Sequence, residues 1–330
     1  MIHKVSEISG VWKFIHQEQS SEIYFLNKDK YLSVCRHDSV EFELDDIKCE
    51  IVEKWREGYI INESLYFKTG NKAIPLFDKD TYKVLIISND ELLIKSLDFE
   101  KEEIRYGIYH FPTKQIDWLN QVYGSKPRII IKSNSLVSTT DNSIIVTNLN
   151  DGKEWKQAYL ELLGSDKANL HSQILYSDDK LFFGIDGNEN RGVFVLDIET
   201  GELLKKFDTE SYEIFKDGDF IYTTKFQNVL CRINTKSLKL EEWDCDALVT
   251  ENGFHSIHDH RCDVMNGKFC FTQSLGDNKA KLGVLDFETK ELVYKYEFKP
   301  ENGAIGSIQI NDARIFVHTQ DNTLHIFEKE

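Results

Sequence analysis

The chain has 330 residues, 41% apolar and 12% aromatic, with 21 Phe and 14 Tyr, which is ample for a packed core and rich in strand formers. Four Pro and 18 Gly argue against low complexity. A net charge of −16 argues against nucleic acid or an anionic membrane surface as partner, because both need clustered Lys and Arg.

Met1 to Glu7 holds no signal-peptide core, and no apolar run nears the roughly 20 residues of a membrane span. Six cysteines without a CxxC pair (Cys35, Cys49, Cys231, Cys245, Cys262, Cys270) read as reduced thiols, so a cytoplasmic location is expected.

Residues 11–44 read as four strands: Val11 to His16, Glu22 to Leu26, Tyr31 to Cys35 and Val40 to Leu44. From there one turn recurs, at Glu57-Gly58, Asn89-Asp90, Asn134-Ser135, Asp178-Asp179, Asp217-Gly218, Asn266-Gly267 and Asn311-Asp312. The spacing is about 42 residues, the period of four-stranded propeller blades. The strands after these turns, such as Leu181-Phe182-Phe183 and Phe269-Cys270-Phe271, are apolar on both faces, as strands covered by neighbours on either side must be.

In the block around residue 180, Ser172 to Tyr176 reads as a first strand and Leu181 to Ile185 as a second. Asp186 to Arg191 reads as a polar loop, and Gly192 to Leu196 and Leu203 to Phe207 as a closing hairpin. The last unit stops after its third strand, Thr323 to Phe327. His3 to Ile8 would supply its outer strand, closing a ring without exposed sheet edges.

The expected fold is all-β, a β-propeller of four-stranded antiparallel blades, eight favoured and seven the alternative, with 1–330 as one domain. A competing reading makes 1–110 a separate small β-barrel and 111–330 a partial propeller, because Ser9-Gly10-Val11-Trp12 resembles the opening of lipocalin-like domains.

One phrase is repeated outright. Val195-Leu196-Asp197-Ile198-Glu199-Thr200-Gly201-Glu202-Leu203 returns as Val284-Leu285-Asp286-Phe287-Glu288-Thr289-Lys290-Glu291-Leu292, with a degenerate copy at Arg232 to Leu240. This phrase resembles the outer hairpin of quinoprotein-like (PQQ-like) and related WD40-like propellers. The resemblance implies the fold. The Trp that usually follows the hairpin in quinoprotein dehydrogenase blades is missing, so a bound quinone is not implied.

The chain has no GxSxG, no phosphate-binding Gly loop, no HExxH and no paired CxxC. The chemistry that stands out is Phe254-His255-Ser256-Ile257-His258-Asp259-His260-Arg261-Cys262, in the longest link between two units. His258 and His260 alternate, so on an extended chain they point the same way and could hold a metal, with His171 from an equivalent link as third ligand. Asp186, Asn188 and Asn190 resemble the start of a calcium loop, although Arg191 stands where the sharp-turn Gly should be. In a propeller the histidine link shares a face with the loops between second and third strands, which carry Asp277, Asn278, Asp321, Asn322, Asp141, Asn142, Glu100, Glu102 and Glu103, an acidic rim suited to a basic protein.

The leading expectation is a non-enzymatic, cytoplasmic protein-interaction module, such as an inhibitor or immunity protein masking a basic partner. His171, His255, His258, Asp259, His260 and Arg261 are the candidate partner- or ligand-binding residues. No cofactor is expected beyond a divalent metal on the histidines. The alternative is a metal-dependent enzyme or small-ligand binder that uses the same cluster.

Overall fold

The computed structural model describes residues 2–18, 22–98, 103–119, 126–132, 134–187, 190–209, 213–226, 228–257, 261–275, 279–311 and 313–329. These build eight consecutive antiparallel sheets, the blades of a β-propeller. Two short helices (Tyr159–Leu163 and Asp246–Glu251) lie in links between blades. No helix among the described residues is long and apolar enough to cross a membrane.

The chain divides into two compact units. One, 11–140 with 144–156, contains blades one to four: Val11–Glu18 to Ser39–Leu44, Val52–Trp55 to Ile74–Pro75, Thr81–Ile86 to Gln115–Trp118, and Lys126–Ile131 to Glu154–Ala158. Residues 11–118 therefore fold as three separate four-stranded sheets.

The other unit, 1–10, 141–143 and 157–330, contains blades five to eight. Blade six runs from Phe215–Asp217 through Phe220–Lys225 and Val229–Asn234 to Leu240–Asp244. Blade seven runs from Cys262–Met265 through Lys268–Leu275 and Lys279–Asp286 to Glu291–Glu297. In blade eight, Ile305–Ile310, Arg314–Thr319 and Thr323–Lys329 are completed by the N-terminal strand Ile2–Ser9, which pairs Ile8 with Leu324 and His3 with Glu328. The expected role of His3 to Ile8 is thus realised, and the recurring turns fall between the first and second strands of their blades, Asp312 itself lying outside the described residues.

Blade five departs from expectation. Its first strand, read as Ser172 to Tyr176, is split into Asn169–Leu170 and Leu175–Ser177. The reason is local chemistry. The Ser172 hydroxyl accepts the Gly184 amide at 2.6 Å and donates to the Gln173 carbonyl at 2.7 Å, so a side chain takes the place of the ladder. The blade then runs through Lys180–Asp186 and Arg191–Asp197 to Leu203–Phe207.

The core lies in layers between neighbouring blades, which explains the doubly apolar second and third strands. Phe182, Val193 and Val195 of blade five meet Ile221 and Ile233 of blade six. Tyr222 and Leu230 of blade six meet Phe269, Phe271 and Leu285 of blade seven. Cys270, Leu282 and Val284 meet Ile315, Val317 and Phe327 of blade eight. Burial of each such side chain contributes about 1.5–3 kcal/mol.

The repeated phrase has a hydrogen-bond explanation. The Asp197 carboxylate accepts the amides of Glu199 and Thr200 and the Thr200 hydroxyl. Asn234 does the same for Lys236 and Ser237, and Asp286 for Glu288 and Thr289. Four residues on, Gly201, Leu238 and Lys290 all take positive φ (73°, 53° and 60°). A short acceptor that folds the turn onto itself, followed by a left-handed residue, is what the three copies share.

Gly192 marks a close approach inside the same hairpin, where a Cβ would run into the Phe207 carbonyl oxygen. Gly192→Ala is expected to cost about 2 kcal/mol, read as a lower urea midpoint at unchanged slope.

Candidate functional site

The first strands of blades six, seven and eight lie side by side in their unit. Where they and the split strand of blade five begin, they leave a cleft of about 620 Å³, lined among others by His171, Glu213, Arg261, Cys262, Asp263 and Ser307. His171 and Ser172 come from the break in blade five. Glu213 and Ile214 immediately precede blade six, Arg261 to Asp263 open blade seven, and Gly306 to Ile308 belong to blade eight.

Several walls are fixed by hydrogen bonds between blades. Gln173 donates its side-chain amide to the Ile214 carbonyl at 2.9 Å. Asp263 accepts the Val264 amide at 2.8 Å and, across to blade eight, the Ile310 amide at 3.0 Å. Both its oxygens thus serve the scaffold. The Arg261 carbonyl accepts both the amide and the hydroxyl of Thr272, at 2.9 and 2.8 Å, which pins the backbone at the cleft mouth.

Burial pushes the Glu213 carboxyl up, and the nearby Arg261 charge opposes that. Burial likewise raises Asp263, against the two amide hydrogen bonds. The Cys262 thiol is pushed well up by burial and donates to the Ile257 carbonyl at 3.3 Å, so it is an inert wall rather than a nucleophile.

His171 and Arg261, both in the candidate binding set read from the sequence, line this cleft. His171 Nε2 stands 3.4 Å from Asp186, whose other oxygen is 4.0 Å from Arg191 Nε. Asp186, read as a calcium ligand, thus stands between a histidine and an arginine. Asn190 is exposed, and its carbonyl closes a tight turn onto the Gly187 amide at 2.8 Å. Asn188 lies outside the described residues, as do His258, Asp259 and His260. Among the described residues no three His, Cys, Asp or Glu side chains are grouped to hold a metal ion.

The link that carries His255 is better ordered than an irregular insert. It opens with the helix Asp246–Glu251 and buries Val249, Phe254 and Ile257 in the layer between blades six and seven. Asn228, in the loop between the second and third strands of blade six, is its anchor. The Asn228 side chain donates to Asp246 at 2.8 Å and to the His255 carbonyl at 3.2 Å, and accepts the Ile257 amide at 2.9 Å. Gln273 of blade seven accepts the His255 amide at 2.7 Å. The backbone of His255 is thus held while its side chain faces solvent, and it is not among the residues lining the cleft.

The acids read as a rim are described only in part. Asp277, Asn278, Glu100 and Glu102 lie outside the described residues. Asp321 is exposed and accepts from Asn302, Thr319 and Thr323; against some desolvation, those hydrogen bonds hold its carboxyl below the usual range. Asp141 and Glu103 are exposed. The solvent-facing acids of the link are instead Asp244, Asp246 and Glu251, which carry no motif in the sequence. Glu213 and Asp263 carry none either. The signal that locates them is their place in the repeat, a few residues before the first turn, where His171 and Arg261 also stand.

No family model matches the chain, and no curated protein matches it. Solved structures do. The chain is similar to the computationally designed protein Ika8, with a TM-score of 0.63 at 13% identity over 97% of this chain and 96% of that one. It is similar to BamB from Moraxella catarrhalis, with a TM-score of 0.59 at 11% identity over the full length of both. It is also similar to Sqt1 of Saccharomyces cerevisiae, with a TM-score of 0.58 at 9% identity over 99% and 98%. Identities this low speak to fold alone. With the blade order, they make the chain a β-propeller of eight four-stranded blades.

Proposed function

We propose that this propeller is a cytoplasmic protein-interaction module whose partner is basic, in the manner of an inhibitor or immunity protein. The observation that carries the proposal is the stretch from Leu240 to Ile257, the last strand of blade six and the link that follows it. It contains Glu241, Glu242, Asp244, Asp246 and Glu251 and no Lys or Arg. Glu241 is taken by Arg232, and Glu242 by Lys225. Asp244, Asp246 and Glu251 remain exposed and outside any ion pair among the described residues. The platform that presents them is rigid, because Asn228 and Gln273 hold its backbone.

Most of the net charge of −16 falls in the same unit. Such a surface steers a basic protein and repels an acidic one. Exposed acids are also ordinary solubilising groups, and the experiment separates the two. The full chain should recover one stoichiometric partner of high isoelectric point from native lysate of its source. Association should slow about tenfold between 50 and 500 mM salt, and Asp244→Asn with Glu251→Gln should weaken it by a similar factor. A partner that is acidic, or binding indifferent to salt and to both substitutions, would sink the proposal.

A further inference from the structure

The last strand of a propeller blade leaves one edge unpaired, and proteins blunt such edges with Pro, Lys or short length. Blade two ends on the two-residue strand Ile74–Pro75, and the last strands of blades five and seven carry Lys205 with Lys206, and Lys295. Blade one differs. Its last strand, Ser39–Leu44, has six residues and neither Pro nor Lys. It pairs only with Leu32–Arg36, and among the described residues none of its backbone groups is bonded outside that sheet.

The two faces of this strand are unlike. Val40 and Phe42, opposite Cys35 and Ser33, are apolar and 47% and 58% exposed. Glu41 points the other way, and with Glu22 and Glu43 it shares a single cation, Arg36. Three carboxylates on one guanidinium leave that face with surplus negative charge. Where the strand ends, Asp45 and Asp46 line a cleft of about 600 Å³ against Gly70 to Ala73 of blade two. Both are exposed and outside any ion pair among the described residues. Lys72 on the opposite wall is outnumbered by Glu43, Asp45 and Asp46.

We infer that this edge takes an extended segment of a protein partner as an added strand, one whose residues alternate apolar with Lys or Arg. The backbone of Ser39–Leu44 supplies the hydrogen bonds. Strand alternation sends the apolar side chains to Val40 and Phe42 and the basic ones to the glutamates, and a basic residue beyond the strand's end enters the cleft. An acidic segment is repelled. So is a second copy of this chain, because pairing edge to edge would set Glu41 and its neighbours against themselves. The edge lies in the other unit from the acidic stretch Leu240 to Ile257 and uses none of its residues, so either reading can fail alone.

The test is a selection of displayed random peptides, about twelve residues long, on the purified full chain, with the most enriched sequence then made synthetically. Enriched peptides should alternate apolar residues with Lys or Arg, and the synthetic one should bind with a Kd below about 100 µM. N-methylation of its alternate amides along one edge should abolish binding and along the other leave it, because only one edge faces the sheet. Phe42→Ser, and Asp45→Asn combined with Asp46→Asn, should each weaken binding at least about fivefold while leaving the melting midpoint of the free protein in place. Amides of Ser39 to Phe42 should gain hydrogen-exchange protection on binding. If no alternating basic sequence is enriched, the inference fails. It fails equally if binding survives N-methylation along both edges or is unchanged in Phe42→Ser.

Discussion

Asn228→Ala should lower stability by about 3–4 kcal/mol, a large effect for one buried polar side chain. Three losses combine. The buried Ile257 amide is left without its acceptor, at about 1–3 kcal/mol. The His255 carbonyl and the Asp246 carboxylate lose a donor. Asn228 also sits at φ 58°, where Asn is tolerated better than Ala. A companion variant divides the effect. Asn228→Gly removes the same side-chain bonds but not the backbone tolerance, so the difference between the two variants should be about 1 kcal/mol. Chemical denaturation of both, with hydrogen exchange at Ser256 and Ile257, measures this. Wild-type protection at those amides in Asn228→Ala would show that the link is held some other way.

The second large effect is an acid sensitivity centred on blade eight. His325 lies 1% exposed on the strand Thr323–Lys329, directly opposite Glu7 of the N-terminal strand. Its Nε2 is 2.9 Å from the Thr319 hydroxyl and its Nδ1 is 3.6 Å from Glu7, with the ring against Phe298. Burial is the main cause of a pKa lowered to about 4, aided by Lys4 and His318 and opposed by Glu7 and Asp321.

The sign follows from proton counting. Between the unfolded value of 6.5 and the folded value of about 4, the unfolded chain binds the proton and the folded chain does not. Stability is therefore whole above pH 6.5 and falls by about 3 kcal/mol as the pH drops to 4. Two carboxyls work the other way. Glu213 and Asp263 are raised in the fold, so the folded state holds their protons longer and gains as the pH falls through the same region. His325→Phe, which keeps the ring packing and leaves the Thr319 hydroxyl on Asp321 and Thr323, isolates the histidine. Because lowered carboxyls such as Glu7, Glu241 and Asp321 cost both proteins stability in acid, the test is the difference: from pH 6.5 to 4 the variant should lose about 3 kcal/mol less than the parent. Parallel curves for the two proteins would place the acid sensitivity elsewhere.

The fold was legible because its information is local and repeated. Asp197, Asn234 and Asp286 each build a turn from their own next two or three amides, so the same few residues must reappear wherever the hairpin does. Apolar runs such as Leu181 to Ile185 announce burial on both faces by residue type alone. The split strand at His171 was not legible, because it depends on the Ser172 hydroxyl finding the Gly184 amide one strand away. The cleft was legible only in part. His171 and Arg261 drew notice as residue types. Glu213 and Asp263 look like ordinary strand-flanking acids until first strands far apart in sequence are brought side by side. Asn228 is the clearest case of what spacing conceals. A lone Asn in a polar loop carries no pattern, yet it fastens a link that begins about twenty residues later.

The pairing of Ile2–Ser9 with Thr323–Lys329 sets a timetable for biosynthesis as well as a sheet. Once made, Ile2–Ser9 must wait roughly three hundred residues, and at 5–20 residues per second some tens of seconds, for the strand it pairs with. Through that interval Ile2 and Ile8, both buried in the finished blade, have no layer to enter. The last blade is therefore the slowest to form and the one most exposed to misassembly. An N-terminal tag and a C-terminal truncation, although they sit at opposite ends of the chain, would injure the same sheet.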